Sequence, residues 1–159
     1  MKSLYPRLFP SMVAACLLVG CGEDDLPGDV YEITLTGVEN TCTAGGANYN
    51  ETLDYRLELD NQDARLSIGE DLWAQGQADG CLVTYSSIVW EDDIDGYIVR
   101  WQIFGSARVN EGGGSGCVEG ADWEGEESFV VLSTDHPDIQ PGCSYDLTTS
   151  GSYRGGGEP

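Results

Sequence analysis

The chain has 159 residues, 28 acidic against 7 basic, for a formal charge of −21. That length suits one domain and is short for two, and 40% apolar residues suffice for a core. A balance this acidic argues against nucleic acid as a partner, because phosphate binding needs clustered Lys and Arg.

Residues 1–20 read as an address rather than a structure. Lys2 and Arg7 form a charged start, and the apolar stretch from Leu8 to Gly20, interrupted by Pro10 and Ser11, is too short for a comfortable membrane span. It ends in Leu18-Val19-Gly20-Cys21. This resembles the lipobox of bacterial lipoproteins, in which an aliphatic residue, a small or aliphatic one and a small one precede a cysteine. The resemblance covers about one eighth of the chain. It implies cleavage before Cys21, a diacylglyceryl group on its sulfur, an acylated amine and stable insertion of the acyl chains into a bilayer. The membrane partner is then reached through lipid on Cys21. Gly22, where enterobacterial sorting would need Asp to retain the protein, implies release to the outer membrane. Residues 21–29 form a lipidated acidic tether that spans at most about 28 Å from Gly22 to Asp29. The β domain is expected over 30–155 and a frayed tail over 156–159.

Past the tether the hydrophobic period is two. Tyr31, Ile33 and Leu35 alternate with Glu32, Thr34 and Thr36; Leu53, Tyr55, Leu57 and Leu59 alternate with Asp54, Arg56, Glu58 and Asp60. Such alternation marks strands with one buried and one wet face. Asn61-Gln62-Asp63 is a turn into Leu66 and Ile68, although Asp63 to Gln75 could also hold one or two helical turns. Cys81 to Trp90 is a longer β-branched and aromatic run, and Asp92 to Gly96 a turn. Tyr97, Val99, Trp101 and Ile103 alternate again, Gly112 to Gly116 is a flexible loop, Phe129 to Leu132 a strand core, and Tyr145 to Tyr153 a last strand. No proline occurs between Gly28 and His136, so every ladder donor is retained there. The fold class expected is all-β: a small antiparallel meander closed as a barrel or folded as a sandwich, with more than a third of residues 28–155 in strands and under a tenth in helix.

Loss of residues 1–20 leaves five arginines, no lysine and 28 acids, a formal charge of −23. Four cysteines remain beyond Cys21: Cys42, Cys81, Cys117 and Cys143. Even parity in an exported chain reads as two disulfides stapling the domain, and the lack of any Cys-x-x-Cys pair leaves zinc unsupported. Three connectivities are open; the local one, Cys42–Cys81 with Cys117–Cys143, is preferred.

No cofactor is expected, calcium being the one candidate. Glu91, Asp93 and Asp95 stand at the first, third and fifth positions of a calcium loop with Gly96 at the sharp turn, but Gln102 replaces the closing bidentate Glu and the flanks read as strands. The competing reading is a hairpin turn, since Asp-Gly suits positive φ. Glu119, Asp122, Glu124, Glu126 and Glu127 read as a solvated acidic face. His136, the only histidine, falls in an extended loop before Pro137. Trp73, Trp90, Trp101 and Trp123 could stack on sugars, but at strand spacing they read as core. Together these features describe a lipid-anchored envelope protein with a non-catalytic β domain in a binding or structural role. The alternatives are a hydrolase using two carboxylates and a calcium-dependent adhesion module.

Overall fold

The computed structural model describes residues 27–42 and 48–157. Residues 1–20, Cys21 and most of the expected tether lie outside them. Strands take up 70% of the described residues and form one antiparallel closed barrel. They are β1 (Gly28–Asn40), β2 (Asn50–Asp60), β3 (Asp63–Ile68), β4 (Asp71–Asp79), β5 (Leu82–Ser87), β6 (Trp90–Ile94), β7 (Tyr97–Val109), β8 (Trp123–Thr134) and β9 (Ser144–Gly157). The order is a plain meander, β5-β4-β3-β2-β1-β9-β8-β7-β6, closed by pairing of β5 with β7.

The barrel has eight staves because β5 and β6 share one. Leu82 to Ser86 pair with Arg108 to Phe104 of β7, and Trp90 to Ile94 pair with Trp101 to Tyr97 of the same strand. One extra residue is absorbed between the two segments, a β-bulge over Ser87 to Val89. An even number of staves in a meander sets the first and last antiparallel, and β1 accordingly pairs with β9 from end to end.

Period-two patterning becomes the inside and outside of the barrel. Tyr31, Ile33 and Leu35 of β1, Tyr55 and Leu57 of β2, Val83 and Tyr85 of β5, and Val99, Trp101, Ile103, Ala107 and Val109 of β7 all point inward. Small barrels of this strand number are filled by their own side chains. The helical option for Asp63 to Gln75 is not taken. Gly69, at φ 61°, makes a hairpin between β3 and β4, and Ala64 and Leu66 alternate into the core as strand residues must. Both ends of the β domain reach further than expected. β1 starts at Gly28, and β9 continues through Gly155 and Gly156, which pair with Val30 and Asp29. Arg154, just ahead of the expected tail, is held by Glu32.

All four cysteines pair, but as Cys42–Cys143 and Cys81–Cys117, not as the local pairs. Barrel closure is the reason. The β1–β9 register pairs Asn40 with Tyr145, and two steps further out it sets Cys42 opposite Cys143. Cys81 opens β5 beside the end of β7, where its carbonyl accepts from Val109 N–H (2.9 Å), and the loop leaving β7 brings Cys117 back to it.

That loop covers the lower end of the barrel, where β1 begins. Asn110, 4% exposed, organises it: Nδ2 donates to the carbonyls of Val118 (3.1 Å) and Ala121 (3.0 Å), and Oδ1 accepts from the N–H groups of Cys117 and Val118 (both 3.0 Å). The Tyr31 hydroxyl donates to the Asn110 carbonyl (2.9 Å), and Asp29 accepts from Gly112 N–H (2.7 Å).

Candidate functional site

Among the described residues, one carboxylate lies in the interior. Glu127 projects from the middle of β8 and is 2% exposed. Its Oε1 accepts from the Tyr85 hydroxyl at 2.7 Å and the Tyr55 hydroxyl at 3.2 Å, with Tyr55 also 3.4 Å from Oε2. Around it runs a closed ring of aromatic contacts: Tyr55–Trp73 (centroids 5.2 Å), Trp73–Tyr85 (5.7 Å), Tyr85–Trp123 (6.3 Å) and Trp123–Tyr55 (6.0 Å). The Trp123 indole N–H donates to Thr149 Oγ1 at 3.0 Å, whereas the buried Trp73 Nε1 has no hydrogen-bond partner.

Backbone spacing builds this cluster. Gly105 of β7 pairs with Tyr85 on one side and Glu127 on the other. A Cβ at Gly105 would overlap the Tyr85 ring. Glycine therefore lets the phenol lie across β7 and reach a carboxylate two strands away. Burial raises the Glu127 carboxyl to about 7, outweighing the two phenol hydrogen bonds that pull the other way. Burial, reinforced by the Glu127 carboxylate, holds Tyr55 and Tyr85 well above the ordinary phenol range. The result is a group able to hold a proton at neutral pH, walled off from solvent by packed rings. Nearer the upper end, where β1 finishes, Tyr49 donates to Glu51 and packs edge-on against Tyr145 (6.3 Å).

Glu127 does not lie on the solvated acidic face expected of residues 119–127. Glu119, Glu124 and Glu126 are exposed, but Glu127 is buried. The signal was parity: Trp123, Glu127, Phe129 and Val131 share it, and extending the strand back from Phe129 to Trp123 turns Glu127 inward. Asp122 is also engaged, its Oδ2 accepting from Tyr153 N–H at 2.9 Å. Trp73, Trp101 and Trp123 are core, while Trp90 is half-exposed and stacks on Trp101 (5.9 Å, 17°). His136 sits in the loop after β8, buried against Tyr97 (5.0 Å).

The calcium-loop residues occupy a hairpin. Asp95 (φ 54°) and Gly96 (φ 87°) form its two-residue turn between β6 and β7. Glu91 is paired with Arg100, and Asp93 Oδ1 accepts from Gly96 N–H at 2.7 Å. Among the described residues no three His, Cys, Asp or Glu side chains converge into a group that could hold a metal ion. A surface hollow of about 220 Å³ lies on the outer face of β2–β4, lined by Glu58, Asp60, Asp63, Arg65 and Gln75.

No protein-family model, curated protein or solved structure matches this chain.

Proposed function

We propose that the chain is a lipid-anchored protein of the bacterial cell envelope, sorted to the outer membrane, whose barrel is a non-catalytic binding or structural module.

 The observation that carries this reading is the complete pairing of the four cysteines downstream of Cys21, which supports an oxidising, exported location and so fits the lipobox-like Leu18-Val19-Gly20-Cys21. A filled interior supports recognition through the outer surface rather than an internal cavity, and the enclosure of Glu127 behind aromatic rings argues against its use on a substrate.

The experiment is metabolic labelling with a radioactive fatty acid in a bacterial host. Wild type should incorporate label and partition with membranes. Cys21→Ser should incorporate none, because a hydroxyl does not replace the thiol that accepts the diacylglyceryl group. Absence of label from wild type would remove the anchor and leave a secreted β-barrel.

A further inference from the structure

Three consecutive apolar residues stand on the outside of this acidic chain: Ile88 is 60% exposed, Val89 49% and Trp90 38%. They are held there by hydrogen bonds. Ser87 Oγ accepts from Ile103 N–H at 2.9 Å and donates to the Ile88 carbonyl at 2.7 Å, while Gln102 Nε2 donates to the Ser87 carbonyl at 2.7 Å. The bulge is therefore a built feature, and such bulges re-aim side chains or end pairing. An exposed apolar run of this length is unfavourable for a free surface and calls for a reason. Ile98 and Leu72 are exposed nearby, Leu72 two residues from the Ala74–Ser87 pair.

The bulge also frees an edge. Among the described residues β6 pairs with β7 alone. The two-residue turn makes Ile94 and Tyr97 a hydrogen-bonded pair, so the ladder uses residues 94, 92 and 90 and turns the N–H and C=O groups of Glu91 and Asp93 away from β7. Around this edge Glu70, Asp71, Glu91, Asp93 and Asp95 are exposed, and the one arginine among them, Arg100, is taken by Glu91. A second copy would bring the same acids against themselves. A bilayer fits no better. On the anchored reading the lipid is attached ahead of Gly28, at the opposite end of β1, whose 13 residues run about 44 Å.

We infer that β6 and the exposed Ile88-Val89-Trp90 run at its bulge are the docking edge for an extended segment of a partner protein that alternates apolar and cationic side chains and adds to the barrel as a strand. Main-chain bonds to Glu91 and Asp93 hold the segment, the bulge receives its apolar residues, and the acidic rim selects its cations. The inference rests on the binding reading of the barrel. Strand docking and lipid attachment involve different residues, so fatty-acid labelling and the following experiment fail separately.

The full-length chain, purified in a non-ionic detergent, is titrated with a short peptide alternating valine and lysine, and amide hydrogen exchange is followed by NMR. A valine–glutamate peptide is the control. The lysine peptide should slow exchange at Glu91 and Asp93 by about tenfold or more at saturation, with Val89→Lys weakening its binding about tenfold at unchanged fold. Failure of the lysine peptide to protect these two amides overturns the proposal, as does equal protection by the glutamate peptide. Protection that appears without peptide and grows with protein concentration also overturns it and gives the edge to a second copy.

Discussion

A carboxylate sealed among aromatic rings is the most consequential single residue in this barrel. Glu127 is raised by burial from its ordinary range to about 7. Its folded-state value therefore lies above its unfolded one. The neutral form is favoured in the folded state, so the stability it contributes is complete below pH 4.5 and is lost as pH rises through 7. Glu127→Gln keeps the shape and cannot ionise. The variant should match wild type near pH 4.5 and exceed it above pH 7.5 by on the order of 3 kcal/mol, read as a difference in urea midpoints at the two pH values. A pH-independent difference would mean that Glu127 is not desolvated in the folded chain.

Among the elements, the loop after β7 has one side chain at its centre. Asn110 gives and receives four short hydrogen bonds within residues 117–121 and takes a fifth on its carbonyl from Tyr31. Gly112 to Gly116 has the composition of a flexible linker, yet Asn110 and the Cys81–Cys117 bond tie its two sides to the barrel. Asn110→Ala leaves buried donors and acceptors unpaired and should cost about 2–4 kcal/mol in chemical denaturation. It should also speed hydrogen exchange at Cys117 and Val118 while the β2–β3 hairpin keeps its protection. Uniform loss of protection across the barrel would show that the loop is not a separate unit.

For the whole molecule, closure is secured twice. Cys42–Cys143 staples the β1–β9 seam across 101 residues, and Cys81–Cys117 closes a loop of 36. In the chain-entropy account the longer loop stabilises more, about 4.7 against about 3.8 kcal/mol. Replacing Cys42 and Cys143 with Ser should therefore lower thermal stability more than replacing Cys81 and Cys117, as read by the circular dichroism midpoint. The reverse order would locate the stress on the lower end rather than on the seam. Surface ion pairs such as Arg154–Glu32 add little to this balance at their exposure.

Alternation along β1, β2 and β7 was enough to read an antiparallel β domain, its inward residues and the Asp95-Gly96 turn, because strand side chains alternate by local geometry alone. Cysteine parity was enough to read two disulfides, because parity is a count. What pairs with what was another matter. Cys42 meets Cys143 only because an eight-stave meander brings its first strand back beside its last, a contact between residues 101 positions apart. Glu127 reads as one acid in an acidic run until the register of β8 against β7 and β9 turns it inward, where two phenols from β2 and β5 can reach it. Local pattern decides which way each residue faces along its own strand; only closure of the barrel decides what it faces.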